Sequence, residues 1–284
     1  MSNLLKAIQH LILGRNVHVG EVRESVNRAN SLGEAFEIYI KNTFAGAFGL
    51  TGTKYQERVS EVFSYQGNAS KPPDLMIRGG DAIEIKKLQS RDAQIQLNSS
   101  FPKNKLHADD SRIASEAKNA ELWTEKDILY VVGNVDSCAK NVRSMWWVYG
   151  DCFCANSSVY QDVSEKVSAA IRNIEGVDFS PTNELGRING VDIQRFTDLR
   201  IRGMWLLKNP HKIFESYASF NRYAEFQLFV LMRESKWNTF PQSDREEMEQ
   251  LAASGMVTLS SEKIPDPDNP AHSLDCRLIK YVVQ

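Results

Sequence analysis

The chain has no run approaching the roughly 18 consecutive apolar residues of a membrane span. Its start, Met1 to Gly14, reads as an amphipathic helix rather than a secretion signal, so a cytoplasmic protein is expected. Cysteine is scarce: Cys138, Cys152, Cys154 and Cys276 are the only four in 284 residues, which fits a reducing compartment. Cys152 and Cys154 have no second cysteine or histidine pair at zinc spacing nearby and read as buried strand residues. Excess charge of one sign is also absent, since 34 basic residues nearly cancel 36 acidic ones. There is then no global positive field, and any nucleic-acid partner must be met by a local basic surface. Repeats, low-complexity tracts and interdomain linkers are missing as well.

What is present is a 42% apolar fraction, enough to fill one large core. Helical periodicity covers Leu4 to Leu13 and about Val19 to Phe48, with a break expected near Ser31 and Gly33. Strand patterns follow at Glu61 to Tyr65, Leu75 to Ile77, Ala82 to Lys86, Ile128 to Val135 and Met145 to Phe153. Ile128 to Val135 is apolar on both faces, as an interior strand covered by helices would be. Val159 to Ile174 predicts an amphipathic helix. Beyond it lie a basic stretch from Arg187 to Lys212, an apolar segment from Tyr223 to Met232 and an acidic helix at Asp244 to Ala253. The Pro265 to Pro270 segment reads as an internal loop and Leu278 to Val283 as a closing strand. One α/β domain over residues 1–284, with an elaborated C-terminal half, is the economical reading.

The chemistry concentrates in the Pro72 to Lys87 run. Hydrolysis of a phosphodiester calls for a divalent ion, and a hard ion such as Mg2+ wants carboxylate oxygens. Asp74 follows Pro73 where a hairpin begins, and Glu84 and Lys86 lie two apart on the returning strand. With a period of two, Glu84 and Lys86 share one face while Ile83 and Ile85 share the other. A two-residue Gly79-Gly80 loop would pair Asp74 with Ile85 and turn it away. A three-residue Arg78-Gly79-Gly80 loop, with Gly80 left-handed, sets Asp74 opposite Glu84. Glu37 falls on the helical stripe of Gly33, Ile40, Phe44 and Phe48 and is the candidate fourth acid, preferred to Glu34. Its alternative is an acid at the stripe's edge reaching solvent or a lysine.

Pro73-Asp74, nine residues and then Glu84-Ile85-Lys86, preceded by Gly33-x-x-x-Glu37 on a helix, resembles the PD-(D/E)xK nuclease superfamily. The wider run from Pro72 to Lys87, with Leu97 to Lys103 after it, is similar to the NgoPII-type restriction endonucleases. The resemblance implies a restriction-endonuclease-like core, a central mixed β-sheet flanked by helices. It further implies a homodimer that cuts double-stranded DNA at a short GC-rich palindrome, GGCC in the family's namesake. Asp74 and Glu84 would then be metal ligands, and Lys86 would orient or activate the attacking water.

Two segments are candidate DNA contacts. Around Lys86 to Lys105, Lys87, Gln94, Asn98, Ser99, Ser100, Lys103 and Lys105 suit phosphates and groove edges. In the Arg187 to Lys212 stretch, Arg187, Arg195, Arg200 and Arg202 are candidate guanine readers. For any one of them the alternative is a solvated charged face. Two other functions stay open on the residues alone: a structure-specific or repair nuclease with the same catalytic groups, and a non-catalytic DNA-binding protein whose hairpin is an ion-paired surface.

Overall fold

A computed structural model describes residues 2–14, 19, 28–67, 71–90, 93–97, 100–135 and 141–284, with the backbone alone for 28–32. Leu4, Leu5, Ile8, Leu11 and Ile12 recur at helical spacing and form the buried stripe of α1 (Leu4–Gly14). α2 (Arg28–Ala45) runs through Gly33 without the expected break, and most of the sequence between Val19 and its first turn lies outside the described residues. The strand expected from Glu61 begins two residues later. Tyr55, Val59 and Val62 line one helical face, so α3 (Gly52–Val62) carries the chain to Phe63 before β1 (Phe63–Gln66) starts.

The expected hairpin is β2 (Leu75–Ile77) with β3 (Ala82–Leu88). Three small elements follow, β4 (Ile95–Gln96), β5 (Lys105–His107) and α4 (Ser115–Lys118). β6 (Glu125–Val135) and β7 (Val142–Tyr149) form the middle of the sheet. β7 stops at Tyr149 rather than Phe153. Gly150 turns the chain into α5 (Gly150–Phe153) where the Lys103 and Asn104 carbonyls press so close that a Cβ would collide with them. After α6 (Ser157–Arg172) a separate small sheet is built from β8 (Asp178–Ser180), β9 (Gly186–Asn189) and β10 (Leu199–Ile201). β11 (Leu206–Leu207) pairs back onto β4 and leads into α7 (Pro210–Ile213). The apolar segment becomes β12 (Phe226–Arg233), followed by α8 (Glu234–Trp237) and the acidic helix α9 (Gln242–Ala253). β13 (Thr258–Asp266) and β14 (Asn269–Val283) close the chain as one long hairpin. Of the expected Pro265 to Pro270 loop only Pro267 and Asp268 form the turn, and the closing strand begins at Asn269 rather than Leu278 because it pairs with β13 along nearly its whole length.

The large sheet runs β1-β2-β3-β6-β7-β12-β14-β13, and β5 adds onto β6. It is mixed, because β3 pairs parallel with β6 and β7 with β12 while the other neighbours are antiparallel. Leu129, Val131, Trp147 and Val230 pack one face against the helices α1, α2 and α3. Tyr130, Val132, Trp146 and Phe229 fill the other, covered by α5, α7 and the short strands. The expected α/β architecture of a mixed sheet flanked by helices is therefore present, and Asp74, Glu84 and Lys86 lie on this second face, whereas Glu37 belongs to α2 on the first.

One end of the sheet is held by charge. Lys236 Nζ donates to Asp81 Oδ1 at 2.6 Å and Asp127 Oδ2 at 2.7 Å, and the Tyr149 hydroxyl donates to Asp81 Oδ2 at 2.6 Å. Removing the ammonium leaves two poorly solvated carboxylates without their shared partner. Lys236→Met is expected to lower unfolding free energy by about 3 kcal/mol, read from urea denaturation. An unchanged midpoint would show that the network adds nothing to stability.

Candidate active site

Met76 pairs with Ala82 and Leu75 with Ile83, a register that sets Asp74 opposite Glu84. The connecting loop holds Arg78, Gly79 and Gly80: Ile77 N–H donates to the Asp81 carbonyl at 2.9 Å, and Gly80 N–H to the Ile77 carbonyl at 2.9 Å. The odd loop length is as expected, but the left-handed residue is Gly79, at φ 65°, and not Gly80. The hydrogen bond from Gly80 to Ile77 defines a β-turn whose third position is Gly79, and that position takes the positive φ. Glu121 and Lys126 brace the turn, with Gly79 N–H donating to Glu121 Oε2 at 3.0 Å and Lys126 Nζ to the Gly80 carbonyl at 2.5 Å.

Alternation then divides the hairpin. Leu75, Ile77, Ile83 and Ile85 join the core under the helices, while Met76 and Ala82 join the opposite core. Asp74, Glu84 and Lys86 emerge on that second face and line one cavity of about 480 Å³. Asp74 is fixed from both ends of the residue: its N–H donates to the Ile83 carbonyl at 3.0 Å, and its Oδ2 accepts Ile85 N–H at 2.6 Å. Lys86 Nζ lies 2.6 Å from Glu84 Oε1 and 3.9 Å from Asp74 Oδ2. The second Glu84 oxygen, Oε2, is buried and has no hydrogen-bond partner among the described residues.

Two buried carboxylates and one ammonium leave an excess of negative charge. Burial, reinforced by the Glu84 charge, pushes the Asp74 carboxyl up to about 8, against the opposing pull of Lys86 and the Ile85 N–H. Burial works against the Lys86 ammonium, but the Glu84 and Asp74 carboxylates outweigh it and raise its pKa, so it stays charged. At neutral pH a proton on Asp74 offsets that excess, and a cation bound there would take the proton's place. Mg2+ binds through one or two carboxylates plus substrate phosphate and retained water, and a paired Asp74 and Glu84 with an unpartnered Oε2 fits that demand. Among the described residues no group of three or more His, Cys, Asp or Glu is placed to hold a metal, so these two acids are the donors available.

Glu37 is placed differently from expectation. Ile40 and Phe44 are fully buried, but Glu37 is exposed at the edge of their stripe and not on its core-facing side. It lines a smaller recess with Glu34, Lys41, Asp74 and Ile85. Partial desolvation raises its pKa while Lys86 opposes the rise, and its charge in turn bears on Asp74 and Lys86.

Of the candidate DNA contacts, Ser100, Lys103, Arg200 and Arg202 line the large cavity. Lys103 is buried there, ion-paired with Asp110 and 4.7 Å over the Phe101 ring. Arg200 and Arg202 present Nε to the two oxygens of Glu184, at 3.0 and 2.9 Å. Gln94, Lys87, Lys105, Arg187 and Arg195 are not among the described residues lining it. Lys105 is drawn into the sheet-end charge network, 2.6 Å from Asp127 and 3.2 Å from Glu125. Arg187 pairs with Asp198 and Arg195 with Asp178, both at the surface. Asn98, Ser99 and Cys138 lie outside the described residues. Cys152, Cys154 and Cys276 are buried free thiols, with Cys152 and Cys276 Sγ atoms 3.8 Å apart.

Sequence reasoning missed Lys71, Arg112 and Glu184, which also line the cavity. Lys71 was within reach, because it directly precedes Pro72-Pro73-Asp74. Arg112 and Glu184 carry no local signal and arrive through tertiary structure alone.

Comparison with known proteins places the chain in a family. Residues 2–265 match the family model described as NgoPII restriction endonuclease. The chain is 42% identical over 281 residues to "Type II restriction enzyme NgoPII" of Neisseria gonorrhoeae, covering 98% of this chain and 99% of that protein. No solved structure matches.

Proposed function

The chain belongs to the NgoPII restriction endonuclease family, and from that membership we propose that it is a type II restriction endonuclease hydrolysing double-stranded DNA at a short GC-rich palindrome, GGCC being the leading candidate. One observation carries the catalytic reading: Asp74, Glu84 and Lys86 converge on one sheet face beneath a cavity, with a buried Glu84 oxygen unpartnered. In this reading Asp74 and Glu84 hold Mg2+, which when bound supplies Lewis acidity toward the phosphate and an activated water. Ile85 N–H keeps the Asp74 carboxylate aimed into the cavity. Lys86, held protonated by its two acids, orients the attacking water and offsets charge developing on the phosphate rather than abstracting a proton. Glu37 would act from the neighbouring recess as a further acid near the ion, its charge bearing on Asp74 and Lys86.

Arg200 and Arg202 are assigned to guanine edges, because Glu184 orients both guanidinium groups from inside the cavity. Ser100 and Lys103 serve the backbone near the cut, while Lys87, Gln94, Asn98, Ser99, Arg187 and Arg195 are assigned to flanking phosphates. Lys105 is assigned to the fold. The enzyme acts in the cytoplasm as a homodimer, since two identical active sites meet the two antiparallel strands of a palindrome.

The test is to incubate purified protein with a long unmodified duplex and Mg2+ and to sequence the ends. Discrete fragments whose termini share one palindrome are expected. A smear, ends without a common motif, or uncut duplex would overturn the restriction-enzyme reading.

A further inference from the structure

The six basic residues that line the active-site cavity are not equally committed. Lys86 pairs with Glu84, Lys103 with Asp110, and Arg200 and Arg202 share Glu184. Lys71 is exposed, and its charge bears on Glu116. Arg112 differs from all of these, because it is half-buried and its guanidinium makes no hydrogen bond or ion pair among the described residues. Asp110 stands two positions before it but is already spent: its Oδ2 takes the Lys103 ammonium, and its Oδ1 accepts the Arg112 backbone N–H at 2.8 Å. That backbone bond shapes an Asx turn, and buried Ile113 and Ala114 tie the turn to the core.

An aromatic ring holds the side chain instead. The guanidinium carbon lies 4.2 Å from the centroid of the Phe101 ring, which Tyr160 stacks upon at 5.6 Å and Trp205 meets edge-on at 6.4 Å. Stacking engages the flat face of a guanidinium and leaves the N–H donors around its edge unspent. The position of that donor fork decides what it can bind. Burial lowers the Lys103 pKa and Arg112 adds to the fall, while Asp110 and also Glu84 oppose it, so the Phe101 cluster lies within electrostatic reach of the catalytic acids. Cleavage happens at a phosphodiester, so the nucleic-acid backbone must pass beside Glu84. A preset guanidinium there meets phosphate oxygens, whose spacing matches its two parallel N–H groups.

We propose that Arg112, stacked on Phe101, binds the non-bridging oxygens of one phosphate of the cleaved strand and so positions the backbone beside Asp74 and Glu84. The inference rests on the reading that the cavity holds duplex DNA for cleavage. Arg200 and Arg202 differ in kind, since an acid between them fixes their donors, whereas Arg112 keeps its charge for an anion.

The test uses the full chain and self-complementary duplexes containing GGCC. Each duplex carries one methylphosphonate per strand, which puts a methyl group in place of a charged oxygen, stepped through the positions within about six base pairs of the site. Gel shifts in calcium buffer give the affinities. Wild type is expected to lose about tenfold at the contacted phosphate, and Arg112→Gln to bind the unmodified duplex about tenfold more weakly. The variant should then lose nothing further from the methylphosphonate at that one position while staying sensitive at the others, a coupling that a merely structural role would not produce. Arg112→Lys keeps the charge without the fork, so it should recover part of the affinity and couple to the same position; it carries the test if Arg112→Gln melts below wild type. Additive losses at every position in both variants overturn the proposal. Coupling to 7-deazaguanine, which lacks the N7 acceptor, in place of a methylphosphonate would make Arg112 a base reader and overturn it too. Both results leave the nuclease reading standing when wild type cuts the unmodified duplex in magnesium. Failure of wild type to cut any duplex fails that reading and the positioning role with it.

Discussion

Glu84→Gln is expected to slow duplex cleavage by at least about a thousandfold while changing duplex affinity by no more than about threefold. The substitution keeps the side chain's size and its place on β3, so the cavity and its arginines stay as they are. What it removes is one of two carboxylates available to the ion, together with the closest counter-charge of Lys86, 2.6 Å away. Lys86→Ala should give a comparable loss by a different route, since it leaves Asp74 and Glu84 facing each other without the intervening ammonium. Single-turnover cleavage and a gel-shift titration, run on the same preparations, separate the two effects. A variant that loses binding and cleavage in proportion would make these residues part of the grip on DNA and not of the chemistry.

The second large effect is on pH. Burial and the neighbouring Glu84 carboxylate push the Asp74 carboxyl up to about 8 in the folded chain, whereas unfolding returns it to the ordinary carboxylate range of about 3.9. Folding therefore takes up a proton in the window between these values. The stability that protonated Asp74 contributes is fully present below the unfolded pKa and is lost as pH rises through about 8, so metal-free stability falls with pH across that range. The ion must displace the same proton. Apparent Mg2+ affinity should thus climb by up to about tenfold per pH unit below about pH 8 and level off above it. Calorimetry in two buffers of different ionisation heat should register about one proton released per ion at neutral pH. Asp74→Asn should abolish both the slope and the released proton. Mg2+ affinity that stays flat between about pH 6 and pH 8 in the wild type would remove Asp74 from the ion's ligands.

The hairpin was legible in the sequence because everything that shapes it is local. Alternation separates Ile83 and Ile85 from Glu84 and Lys86, and loop parity decides where Asp74 falls. Even there, which glycine turns left-handed depends on the hydrogen bond that closes the turn, and Gly79 takes the role expected of Gly80. β6 was readable for the same reason, an apolar run too continuous for any place but the interior. α3 was hidden because its buried face is only Tyr55, Val59 and Val62, among polar neighbours that suit a loop equally well. The cavity wall was less legible still. Lys103 and Lys105 look alike as a pair two apart, yet one lies in the cavity beside Asp110 and the other is drawn off by Asp127. Nothing near Glu184 announces that it will orient Arg200 and Arg202, residues 16 and 18 positions further on.

The proposed chemistry requires Asp74 and Glu84 to hold the ion jointly. Manganese, a spin-active stand-in for magnesium, can be counted by electron paramagnetic resonance in the presence of uncleavable duplex. Wild type is expected to bind manganese at the site, with Asp74→Asn and Glu84→Gln each abolishing the bound signal while duplex stays bound. Undiminished manganese binding by either variant would rule out joint ligation by Asp74 and Glu84.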